Sequence, residues 1–121
     1  MSIILHNKDI NPIAEVQSDT LEINTVQDAL DLMADSGYMG ARKIVLRKEN
    51  LCPEFFDLST GIAGEILQKF STYSFRLAIV GDFTAIHSKS LRDFIYESNK
   101  RRLIVFADSY ETAVEILYGG V

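Results

Sequence analysis

Carboxylate, hydroxyl and glycine residues gather in one pattern with chemical meaning: Asp57, Ser59, Thr60 and Gly61, directly before the amphipathic run from Ile62 to Phe70. A helix beginning there offers free backbone N–H groups and the positive end of its dipole beside two hydroxyls, a setting that can hold an anion or a phosphate. The same residues also read as plain architecture, with Thr60 as an N-cap and Gly61 allowing close packing against a strand. Phe55 and Phe56 stand just upstream. Two adjacent aromatics cannot easily both face one core from a short helical segment. One is expected to anchor the segment and the other to reach a contact surface. Gly61 and Gly64 could instead flank a small-molecule pocket. They belong to no strand–GxxxxGK–helix signature, which argues against a nucleotide-binding P-loop.

Acids recur after apolar runs at Glu49, Asp82 and Asp108. With Asp57 they are expected at the carboxyl edge of parallel strands, where open α/β folds bind ligands. Carboxylates meeting there could coordinate Mg²⁺ or accept a phosphoryl group, or they could simply cap the helices that start there. His6 and His87 show no metal spacing, and Cys52 has no nucleophile signature around it. These patterns call for no metal or cofactor. The net charge is −5, and the one basic run is Lys100-Arg101-Arg102. That run lies where a helix should end, where cations complement the dipole. Without a larger basic patch, a nucleic-acid partner is not expected.

The elements that must position these residues follow from hydrophobic spacing. Ile3–His6 and Ile13–Val16 flank the turn-rich NKDINP and predict a hairpin. Thr25 and Asp28 make a capping pair before the helical stripe Val26, Ala29, Leu30 and Met33, with Gly37 and Gly40 as its stop. Ile44–Leu46, Leu77–Val80 and Leu103–Phe106 read as buried strands. Helices lie between and after them, with Ile66, Phe70, Leu91, Phe94, Val114 and Leu117 directed to the core. Ser90 with Asp93, and Asp108 with Glu111, are the expected caps of the last two helices, and Gly119-Gly120 the end of the last. Continuous apolar strands alternating with amphipathic helices predict α/β architecture: a mixed sheet with an N-terminal β-hairpin, then three parallel strands joined by right-handed crossover helices.

A chain of 121 residues, 47% hydrophobic and 24% charged, fits one domain over residues 1–121. The longest unbroken apolar run, Leu103 to Ala107, is far too short to span a membrane. The single cysteine leaves no internal disulfide and suits a reducing cytoplasm.

This order of elements resembles the STAS domain of anti-sigma-factor antagonists and sulfate transporters. Those proteins carry Asp-Ser-Ser-Gly-Leu at a helix start, where this chain has Asp57-Leu58-Ser59-Thr60-Gly61-Ile62. The closing DSYETAVEIL is similar to the last STAS helix. FFDLSTGIAGEILQKF, AIVGDF and SLRDFIYESN resemble more closely a bacterial family known as domain of unknown function 4180. The STAS resemblance places the phosphorylated switch residue at Thr60. It implies a cytoplasmic regulatory or protein-interaction module, monomeric or weakly dimeric. Its surface would comprise Phe55, Phe56, Asp57, Ser59, Thr60, Gly61, Gly64 and Asp82. The alternatives are a small-molecule or anion sensor beside Gly61 and Gly64, or an enzyme using the carboxyl-edge acids. The residue patterns themselves predict that purified protein carries no stoichiometric metal and does not hydrolyse ATP. Elemental analysis showing about one zinc per chain would overturn the reading of His6, His87 and Cys52 as unrelated.

Overall fold

The computed structural model describes residues 1–119 and holds five strands in one sheet, ordered β1-β2-β3-β4-β5. Strands β1 (Ser2–His6) and β2 (Ile13–Gln17) form the antiparallel hairpin. Strands β3 (Lys43–Arg47), β4 (Arg76–Val80) and β5 (Ile104–Ala107) continue parallel to β2. Each apolar run lies in a strand, except that Leu103 remains just outside β5.

Side chains alternate between the faces of a strand, so an uninterrupted apolar run supplies both. Ile44, Leu46, Leu77, Ile79, Ile104 and Phe106 pack on one face; Val45, Ala78, Val105 and Ala107 pack on the other. Four helices longer than one turn cover them: α1 (Val26–Tyr38), α3 (Ile62–Thr72), α4 (Lys89–Arg101) and α5 (Tyr110–Gly119), with the short α2 (Pro53–Phe56) before α3. Crossovers of one hand that step in one direction along a sheet put their helices on one face. Accordingly α1 and α3 pack on the first face, joined by Phe94 and Ile95 of α4, while α5 covers the second. Ile66, Phe70, Leu91 and Leu117 are buried as expected. Val26, Leu30, Phe94 and Val114 are only half-buried at the margin, and Leu32 takes a core place that the spacing had not assigned.

Helix ends follow local hydrogen bonding. Thr25 and Asp28 form the expected reciprocal cap of α1. Gly37, expected as a stop, sits inside α1, where an added Cβ would lie 3.2 Å from the Phe75 ring. Ser88, not Ser90, caps α4 by accepting the Leu91 N–H, and Asp93 pairs with Lys89 instead. Ser109, not Asp108, accepts the Thr112 N–H at the start of α5. In both cases a serine hydroxyl one or two residues away meets the free N–H. Helix α5 reaches Gly119, and Gly120 lies outside the described residues.

The long segment between β3 and α3 is not an open loop. A 3-10 turn at Lys48–Asn50, then α2, then a second 3-10 turn at Leu58–Thr60 fold it onto the sheet edge. Asn50 holds it there. Its fully buried amide accepts the Arg47 N–H (3.0 Å) and donates to the carbonyls of Ser18 (3.0 Å) and Thr20 (2.9 Å). Its own carbonyl accepts the N–H groups of Glu22 and Ile23. Replacing Asn50 with Ala removes partners from three backbone groups near the core. The variant should lose roughly 2–3 kcal/mol in urea denaturation, beyond a typical surface substitution. A loss within about 0.5 kcal/mol would mean that the clamp is not needed.

Candidate functional site

Phe55 is fully buried and Phe56 half-buried, with ring centroids 5.1 Å apart and nearly perpendicular. This is the division of labour expected of the pair. Phe56 also faces Phe83 at 6.4 Å, and Phe83 meets the core residue Phe106 edge-on at 5.2 Å. These rings thus run from the core to a surface groove of about 570 Å³, lined chiefly by Leu51, Pro53, Phe56, Phe83, Ile86 and Leu91. Lys48 sits at its rim, with its ammonium 5.3 Å from the Phe83 ring centre, and donates to the Asp82 carbonyl (3.0 Å). Gly81 makes this approach possible, since a Cβ there would stand 2.7 Å from the Lys48 Cβ.

The hydroxyl-bearing turn lies at the far end of α2. Asp57 accepts both the N–H (3.1 Å) and the hydroxyl (2.7 Å) of Ser59. Thr60 is not a simple N-cap of α3. Its hydroxyl points back toward the carbonyls of Glu54 (2.7 Å) and Asp57 (2.8 Å), and it accepts a long bond from the Ile62 N–H (3.3 Å). Gly61 occupies the cap position with φ of 79°, a left-handed conformation that glycine adopts without strain. The close strand packing expected of Gly61 is absent, for an added Cβ at Gly61 or Gly64 would meet no atom within 4 Å. Both glycines are exposed, and neither lines the groove beside Phe56.

Asp82 accepts the hydroxyl (2.6 Å) and N–H (2.9 Å) of Thr84, and these bonds hold its carboxyl below the usual range. The edge acids Glu49, Asp57, Asp82 and Asp108 are all exposed. Among the described residues, no three or more His, Cys, Asp or Glu side chains are grouped so as to hold a metal ion. Asp57 and Asp82 each accept hydrogen bonds within their own turns. Cys52 is buried, with its thiol 3.8 Å from the Asn24 carbonyl. Among the described residues, no helix is long and apolar enough to cross a membrane.

The family model described as a domain of unknown function, DUF4180, matches residues 8–117. The chain belongs to this family. No curated protein matches it. A solved structure from Thermotoga maritima, a candidate anti-sigma factor antagonist, shares the fold of this DUF4180 chain at 16% identity and a TM-score of 0.52. The match covers 97% of this chain and 93% of that one. The DUF4180 chain thus has the expected STAS-like α/β fold, with an N-terminal hairpin followed by three parallel strands.

Sequence reasoning missed Phe83, Ile86 and Lys48 as groove residues. The available signal was two large apolar residues in the otherwise small and polar stretch between β4 and α4. The spare residue of the DUF4180 turn, relative to Asp-Ser-Ser-Gly-Leu, is accommodated by the 3-10 turn, in which Ser59 and Thr60 are both exposed and the Thr60 hydroxyl turns back onto the carbonyls of Glu54 and Asp57. That geometry orders the variants. Thr60→Ala should cost about 1 kcal/mol through the lost hydrogen bonds. Thr60→Asp should cost more, because a carboxylate cannot donate to the two carbonyls its side chain would face. Ser59→Ala should stay within about 0.5 kcal/mol. Urea denaturation of the three variants checks the order, and an Asp variant as stable as wild type would show that the site acts as an ordinary cap.

Proposed function

We propose that this chain is a non-enzymatic regulatory module that binds a protein partner through the 55–62 segment, the start of α3 and the adjoining groove. The observation carrying this reading is the pairing of Phe55 with Phe56. A fully buried ring fixes a half-exposed one at the mouth of an apolar groove, beside a turn that presents a hydroxyl. Rigid aromatic anchors at a groove are the usual centres of binding energy. The partner fitting this surface presents an aliphatic or aromatic side chain to Phe56 and Phe83, with an acidic group toward Lys48. The STAS-like fold supports a regulatory role, and its soluble setting would be the cytoplasm.

Control is assigned to the turn. Thr60 stands directly before the glycine, as the switch residue of STAS domains does, but its hydroxyl is engaged with backbone carbonyls. Ser59 is also exposed, and its hydroxyl donates to the Asp57 carboxylate and not to the backbone. A phosphoryl group there would add negative charge beside Asp57 and at the rim of the contact surface, weakening association with an acidic partner.

The groove volume also falls in the range of small-ligand sites, which favours an apolar small molecule as the second reading. Crosslinking of wild type, Phe56→Ser and Ser59→Asp in parallel, followed by affinity measurement on the captured protein, separates the two. Phe56→Ser is expected to weaken that complex about 30-fold, as for an interfacial anchor. Ser59→Asp should weaken it while leaving the melting temperature near wild type. Equal affinity for all three proteins would rule out this surface, and a thermal shift with apolar metabolites that Phe56→Ser abolishes would favour the small ligand.

A further inference from the structure

The opposite, amino-terminal edge of the sheet gathers positive charge. Lys43 and Arg76 are direct neighbours in the β3–β4 ladder, and Arg42 precedes Lys43 at the mouth of the same cavity. The cavity measures about 410 Å³ and is also bordered by Asn11, Gly40 and Ser74. Like charges placed side by side in a sheet repel, and Lys43 and Arg76 are both half-buried. Burial first, and then the neighbouring cation, pulls the pKa of each below its ordinary value: Arg76 acts on Lys43, and Arg102 on Arg76.

Among the described residues, these three cations meet neutral groups: carbonyl and amide oxygens and, for Arg42, the Phe75 ring centred 5.2 Å from its guanidinium carbon. Lys43 donates to the Asn11 side chain (2.6 Å), and Arg42 donates to the Tyr73 carbonyl (3.0 Å). Arg76 donates to the carbonyls of Arg102 (2.9 Å) and Leu117 (2.7 Å), the latter at the end of α5. Among the described residues, the ion pairs join His6 to Glu15 and Lys89 to Asp93 and leave this cluster without a carboxylate. A lysine has three donors and an arginine five, so Lys43 and Arg42 keep donors to spare. In a chain of net charge −5, this is a concave site where three cations gather with no carboxylate paired to them among the described residues.

We propose that Arg42, Lys43 and Arg76 form a binding site for a phosphate group. Arg42 supplies the planar, two-pronged donor that suits a phosphate, and Lys43 supplies a point charge. Arg76 contributes field while remaining tied to the end of α5. The cavity admits a compact phosphate-bearing molecule, whereas the acidic remainder of the surface opposes the extended backbone of a nucleic acid.

The test titrates inorganic phosphate into the full chain at constant ionic strength, reading amide shifts by NMR and the melting temperature. Saturable shifts centred on residues 40–43 and 74–76, with a raised melting temperature, are expected. Lys43→Gln and Arg42→Gln should each weaken binding about tenfold, whereas Lys43→Arg should retain it. Arg76 is left intact because it also holds α5. Flotation with phosphatidic-acid or phosphatidylcholine vesicles locates the source of the phosphate. Retention on the former alone supports the site as a lipid-headgroup site. A response to soluble phosphate without retention supports a free phosphate compound. No saturable response to phosphate or vesicles, or a response unchanged in both Gln variants, would overturn the proposal.

Discussion

Strands β3, β4 and β5 are buried on both faces, and the rest of the structure follows from that burial. A parallel strand can be followed by its neighbour only after a crossover that passes over the sheet. With the order running steadily from β2 to β5, crossovers of one hand place α1, α3 and α4 on the same side. The second face would then lie open, and α5 closes it through Ala113 and Leu117. The steady order has a functional consequence. The strand order of the parallel part does not reverse, so the loops at the carboxyl edge do not diverge to leave the crevice in which doubly wound folds bind ligands.

The groove at that edge is made another way. The connection from β3 to α3 folds into short turns that form one wall, and the segment after β4 forms the other. Two local features hold the walls in place. The backbone of Asn50 and Cys52 pairs with Ile23 so that Ile23 and Leu51 still bridge in parallel beyond β2 and β3, and the buried Asn50 amide ties the same turn to Ser18 and Thr20. The missing side chain of Gly81 lets the β4 exit pass against Lys48. A buried amide with all its partners and a glycine at a close approach are both intolerant positions, one for hydrogen bonding and the other for space.

Charge is divided between the two edges of the sheet. Exposed acids follow the strands at the carboxyl edge, and Asp57 and Asp82 accept hydrogen bonds within their own turns. Cations stand at the start of β3 and β4 at the amino edge, where carbonyl and amide oxygens accept from them. The two candidate surfaces therefore differ in kind. One is an apolar groove with a hydroxyl-bearing turn, and the other is a small polar cavity with positive charge.

The sequence by itself determined the element order, the parallel core and the helix faces, because burial on a sheet or helix leaves a periodic trace in the chain. The resemblance of Asp57–Ile62 and its surroundings to known families identified the family and the fold. The division between Phe55 and Phe56 was also legible, since two consecutive residues of one helical turn cannot share a direction. The caps at Ser88 and Ser109 were missed by one or two residues, for neighbouring Ser and Asp residues offer equivalent acceptors and only the backbone path selects one. Only the folded backbone path turned the Thr60 hydroxyl onto the carbonyls of Glu54 and Asp57, and tertiary structure alone placed Phe83 against Phe56. It also brought Arg42 and Lys43 beside Arg76, more than thirty positions away in the chain. Such contacts depend on strand register and on where a connection folds back, and neither leaves a periodic mark in the order of residues.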